Sequence, residues 1–98
     1  MRLRWLTQAL NDLREIHDHI ARNNPDAARR VVGEIRREVA ILATQPESGR
    51  HGRLPGSREF VIRKYPYIVA YSIQDDEVRF LLVVHTSRRW PKQMPVMR

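Results

Sequence analysis

The sequence contains no cysteine, which excludes disulfide staples and thiolate metal sites and favours a cytoplasmic setting. No apolar run approaches the ~20 residues that a membrane-spanning helix requires. Met1-Arg2-Leu3-Arg4-Trp5 leads into no long apolar stretch, so neither a secretory signal nor a membrane partner is expected. Glycine is scarce, with four residues in the chain. None of them builds a phosphate-cradling loop: Gly49-Arg50-His51-Gly52-Arg53 is too short and lacks the lysine-serine end. There is no nucleophile elbow, internal repeat or low-complexity segment. Lysine is almost missing, confined to Lys64 and Lys92.

Arginine is plentiful instead. Lys+Arg totals 18 against 11 Asp+Glu, a formal net charge of +7. Guanidinium groups suit forked hydrogen bonds to phosphate or carboxylate, so the charge points to nucleic acid or an acidic protein as partner. With 98 residues, 42% of them hydrophobic, the chain is expected to form one domain over 1–98 around a modest core.

Arg2-Leu3-Arg4-Trp5-Leu6 alternates polar and apolar, which predicts a first strand over about 2–6. Thr7 is a candidate cap for a helix over about 7–22, with Leu10, Leu13, Ile16 or His17, and Ile20 as its apolar stripe. Asn23-Asn24-Pro25-Asp26 stops that helix and starts another, with Asn24 as cap and Pro25 at the first helical position. The second helix, over about 25–44, carries Ala28, Val31 or Val32, Ile35, Val39 and Leu42 on one face and turns Arg29, Arg30, Arg36 and Arg37 the other way. Gly33 inside it suggests a close helix–helix approach.

Residues 47–56 read as a loop, followed by a three-stranded meander over about 57–87. Its strands carry Phe60 and Ile62, then Tyr67, Val69, Tyr71 and Ile73, then Val78, Phe80, Leu82 and Val84. Gln74-Asp75-Asp76-Glu77 is a polar hairpin turn whose acids are expected to be solvated. Residues 92–98 read as a loose tail. The expected class is α+β: β-α-α-β-β-β, a mainly antiparallel sheet with an N-terminal helical hairpin on one face.

The last strand runs into His85-Thr86-Ser87-Arg88-Arg89-Trp90-Pro91. A rim that carries His85, Arg88, Arg89 and Trp90 is suited to gripping an anionic target, and Arg50, Arg53, Arg58 and Arg63 are candidates to extend it as a basic patch. A metal site is not expected. His17 and His19 point about 200° apart on a helix, and Glu15 with His19 supplies too few ligands.

These pieces together resemble the RelE/ParE superfamily of small bacterial toxins from type II toxin–antitoxin systems. The likeness rests on Trp5 with Ala9 and Leu13, Asn24-Pro25-x-Ala27-Ala28, Pro46-x-x-Gly49, Pro55-Gly56-x-Arg58-Glu59, Tyr67-Ile68-Val69-x-Tyr71 and His85-x-x-Arg88-Arg89-Trp90-Pro91. It covers nearly the whole chain and implies a cognate antitoxin, acidic and ParD-like or of another type II class. It also implies a hetero-oligomer that reaches operator DNA through that antitoxin, and no cofactor.

Two activities occur in the superfamily. One branch cuts messenger RNA on the ribosome without metal; the other poisons DNA gyrase. The resemblance places Glu59 and Val61 where the nucleases carry lysines and Ile68 at an arginine position, with Arg88 at or beside a second; no tyrosine follows the last strand. His85 with Glu59 is the pair that keeps a ribonuclease reading alive. The ParE-like reading, a gyrase inhibitor without catalysis of its own, is the expectation. A ribosome-dependent endoribonuclease is the first alternative and a non-toxic antitoxin-binding co-repressor module the second. Helical hairpin and exposed sheet edge are the expected antitoxin contacts.

Overall fold

A computed structural model describes residues 1–87 of the chain. Arg88, Arg89 and Trp90, and the tail expected at 92–98, lie outside the described residues. The elements run β1 (Arg2–Trp5), α1 (Thr7–Ala21), α2 (Pro25–Val39), a 3₁₀ turn (Ala40–Ala43), β2 (Arg50–His51), β3 (Arg58–Val61), β4 (Tyr67–Gln74) and β5 (Glu77–His85). The sheet order is β1-β5-β4-β3-β2. This is the expected α+β architecture with one short strand added, β2, inside the segment read as loop. Its two residues pair antiparallel with β3, Arg50 opposite Glu59 and His51 opposite Arg58. So short a strand has no sequence period of its own and exists only because β3 lies beside it.

The meander is set by local chemistry. Asp75 and Asp76 both adopt positive φ, at 51° and 60°, the conformation of a two-residue turn whose twist matches antiparallel strands. β4 and β5 pair over their full lengths, with a bulge between Ala70 and Tyr71. β1 joins the sheet parallel to β5, Leu3 beside Val78 and Trp5 beside Phe80. The Trp5 and Phe80 rings lie 4.2 Å apart between centroids, so the first strand is held by packing as well as by hydrogen bonds.

Both helices cover one sheet face. Ala9 and Leu13 of α1 and Val31, Ile35 and Val39 of α2 share a core with Val69, Tyr71, Val78, Phe80 and Val83. On the other face Leu6, Leu54, Ala70, Leu81, Leu82 and Val84 form a second cluster. Leu10 does not join the core: the α1 stripe is Ala9, Leu13, Ile16 and Ile20, and Leu10 is partly exposed, one helical step away. Thr7 is the first helical residue, not the cap. Buried Leu6 takes the cap position, where its apolar side chain has no acceptor to offer, and its N–H donates to the Phe80 carbonyl at 3.1 Å as strand passes directly into helix.

Asn24 caps α2 as its sequence suggests, its side-chain oxygen accepting the Ala27 N–H at 3.0 Å. The α-helix stops at Val39, short of residue 44, and tightens into the 3₁₀ turn, which buries Leu42. Gly33 is not a close-approach position. A Cβ added there meets nothing within 4 Å, because Gly33 lies on the solvent face of α2.

Candidate functional site

The four arginines read as one basic patch divide three ways. Arg50 and Arg53 converge on Glu59. Arg50 donates to Glu59 Oε1 from Nη2 at 3.0 Å and from Nε at 3.3 Å. Arg53 donates to Oε2 from its backbone N–H at 2.8 Å and from Nε at 3.0 Å. The Glu59 side chain is 2% exposed. Burial alone would raise its carboxyl pKa, but the hydrogen bonds from Arg53 and Arg50 outweigh burial and hold it below the usual carboxylate range. Arg58 turns instead to the carbonyls of Glu47 and Gly49, at 3.2 and 2.8 Å. Arg63 sits elsewhere, in a cleft of about 560 Å³ beside α2 with Ile41, Phe60 and Lys64. The Arg63 and Lys64 backbone N–H groups donate to Glu38 at 2.7 and 3.3 Å, which ties the β3–β4 connection to the helix.

His85 ends β5. Its ring meets Tyr67 edge-on, with centroids 5.3 Å apart. Nδ1 lies 3.2 Å from the Ser87 N–H and 2.8 Å from Ser87 Oγ. A backbone N–H can only donate, so Nδ1 accepts and the proton of the neutral ring belongs on Nε2. The other members of the proposed rim, Arg88, Arg89 and Trp90, lie outside the described residues.

Strand pairing separates Glu59 from His85. Partners across a sheet project to the same face. Glu59 is opposite Ala70, which is opposite Leu82, on the face away from the helices. His85 is opposite Tyr67, which packs on the helix-side core. The two groups therefore project from opposite faces of the sheet.

A second arginine–carboxylate network was not legible in the sequence. Glu77, expected to be a solvated turn acid, has a side chain only 11% exposed and gathers Arg79 Nε at 2.9 Å, Arg2 Nη2 at 3.2 Å and Arg4 Nη1 at 3.7 Å. The Arg79 hydrogen bond is the main reason its carboxyl is held low. Alternation along β1 does signal that Arg2 and Arg4 share a face. The parallel pairing that brings Glu77 to them is long-range. Among the described residues no group of three or more His, Cys, Asp or Glu could hold a metal ion, and no helix is long and apolar enough to cross a membrane.

A family model described as the ParE toxin of type II toxin-antitoxin system, parDE, matches residues 3–90. The chain is 45% identical over 91 residues to the Y4kP protein of Sinorhizobium fredii, spanning 93% of this chain and 94% of that protein. It is 33% identical over 84 residues to toxin RelE2 of Caulobacter vibrioides, spanning 86% and 93%. Among solved structures it is similar to the chromosomal ParDE TA system from P. aeruginosa. The TM-score is 0.80 at 26% identity, covering 89% of this chain and 97% of that one.

Proposed function

Because this chain belongs to the ParE toxin family and is a type II toxin of a toxin–antitoxin system, we propose that it arrests growth by inhibiting DNA gyrase and is neutralised by a cognate antitoxin. Trapping gyrase on cleaved DNA requires no bond-breaking group from the toxin, because the enzyme supplies its own. A metal-free ribonuclease would need a base for the 2′-hydroxyl, cations for the scissile phosphate and an acid for the leaving oxygen.

One observation carries the choice. Glu59 and His85, the pair with which nuclease chemistry could still be built, project from opposite faces of the sheet. Glu59 is also already engaged by Arg50 and Arg53. This arrangement supports the gyrase reading, because neither face of the sheet presents both groups to one phosphate. The proposed target-binding residues are His85 and, following it in sequence, Arg88, Arg89 and Trp90.

The antitoxin surface in this reading is the helical hairpin together with the part of the β3 edge that no described strand covers. Among the described residues β2 pairs with Arg58 and Glu59 alone, which leaves Phe60 and Val61 for an added strand. Val61 is 45% exposed. The neighbouring cleft offers Ile41 and Phe60 to apolar side chains and Arg63 and Lys64 to acidic ones.

The purified toxin should block supercoiling and accumulate gyrase-cleaved DNA, and should leave transcripts on ribosomes intact. Cut transcripts with undisturbed supercoiling would replace this reading with the ribonuclease one, to which the 33% identity with toxin RelE2 lends support. Inactivity in both assays would leave the co-repressor module.

A further inference from the structure

Gly33 has no structural reason to be glycine. It lies inside α2, where glycine is a poorer helix former than alanine. Its backbone is helical and a Cβ would meet nothing. The residues around it are unusual as a set. At 3.6 residues per turn, Arg29, Arg30, Arg36 and Arg37 all lie within about 60° of Gly33 around the helix axis. All are exposed, as are Asp26 and Ala40 along the same stripe. Four guanidiniums stand against the carboxylates of Asp26 and Glu34, leaving an excess of two positive charges.

We propose that this face of α2 is a docking surface for the phosphate backbone of duplex DNA, with Gly33 as the point of close approach. Arg29–Arg30 and Arg36–Arg37 flank it as two pairs seven residues apart, about 10 Å along the helix, or roughly three base-pair rises at 3.4 Å each. The small midline at Gly33 and Ala40 lets a strand of phosphates settle between the pairs. Existing ties differ in strength. Arg29 pairs with Asp26 as an exposed intrahelical ion pair, a weak and easily screened kind. Arg37 is held more firmly, donating from Nε and Nη2 to the largely covered Glu34 carboxylate. Arg36 rests 5.1 Å from the centroid of the Trp5 ring, which restrains its stem.

Charge complementarity selects the occupant. The stripe contains no large apolar side chain from which a protein interface could build a dry core. It contains no aromatic ring on which single-stranded bases could stack. A convex helix also suits the wide major groove of B-DNA better than the deep, narrow groove of duplex RNA. The surface is separate from the rim at His85 and does not depend on gyrase being the target.

The test is fluorescence anisotropy of a labelled random-sequence DNA duplex with the full-length chain, over a salt series. Loss of two phosphate contacts lowers the slope of log affinity against log salt by about 1.8. Arg29→Gln/Arg30→Gln should show that change and bind about tenfold more weakly at moderate salt. Arg14→Gln/Arg22→Gln, with the same loss of charge on α1, should change binding much less. Gly33→Leu should weaken binding while its thermal midpoint stays level or rises, which separates docking from folding. Equal losses in the two double variants would overturn the proposal in favour of net charge alone. Unchanged binding by Gly33→Leu would overturn the close approach. Competition by poly-glutamate as effective as by duplex DNA would assign the face to an acidic protein instead.

Discussion

The hydroxyl of Tyr71 occupies the space that a side chain on Gly49 would need. A Cβ on Gly49 would fall 2.5 Å from Tyr71 Oη and 2.8 Å from the Glu59 carbonyl oxygen. The hydroxyl accepts the Gly49 N–H at 2.9 Å and donates to the Pro46 carbonyl at 2.7 Å, and burial raises its pKa. One buried phenol thereby pins the start of the arginine-bearing loop to the middle of the sheet.

Tyr71→Phe should lower stability by about 1–3 kcal/mol, because it leaves a buried N–H and a carbonyl without their partner. Gly49→Ala should do at least as much harm, since one neighbour is rigid backbone. Urea unfolding of both variants checks this. A Gly49→Ala protein as stable as the parent would show that the loop is not held as described.

Glu59→Gln should cost about 1–2 kcal/mol, because a buried carboxylate that accepts from Arg50 and Arg53 becomes a neutral amide, while the two guanidiniums, about half exposed, stay hydrated. It should also change the pH dependence. The carboxyls of Glu59 and Glu77 are held low in the folded state, and that of Glu34 is lowered to about 2, chiefly by its hydrogen bond from Arg37. A depressed carboxylate stabilises the fold above its unfolded pKa, near ~4.3 for Glu, and the contribution is lost as pH falls through the folded value. Thermal midpoints should therefore hold between about pH 7 and 5 and drop below about pH 4.5. The Glu59→Gln variant should start lower and fall less steeply.

The two ends of the propensity scale in α2 predict opposite signs. Asn24→Ala removes the cap bond to the Ala27 N–H and should cost about 1 kcal/mol. Gly33→Ala, at an exposed helical position with open space beside it, should gain about 1 kcal/mol. Thermal melts of the two variants separate these effects by sign alone.

Arg88→Ala with Arg89→Ala should reduce toxicity more than antitoxin binding, since in the proposed reading the antitoxin also contacts the β3 edge and the cleft beside it. Growth curves on induction, paired with a pull-down of the antitoxin, give both readouts. Equal losses would argue against a separate target-binding rim.

Much of this protein is written locally in its sequence. A 3.6-residue apolar period, Asn24-Pro25 between two such runs, and a polar turn between alternating strands specify helices and hairpins through interactions a few residues long. The helical hairpin, the meander and the family could therefore be read without coordinates. Tertiary structure decided which arginines are engaged, and with what. Glu59 meets guanidiniums from β2 and the turn that follows it, and Glu77 gathers, besides Arg79 of its own strand, Arg2 and Arg4 from the parallel strand β1. Pairing parity places Glu59 and His85 on opposite faces, a consequence of registers between strands that the sequence pattern of either strand alone does not contain. Gly33 shows the same division: propensity identified it as costly, and only the packed helices showed that it faces solvent among arginines. The physical reason is range, because backbone preference acts over a few residues whereas the burial and partner of a charge are settled by segments brought together only when the chain folds.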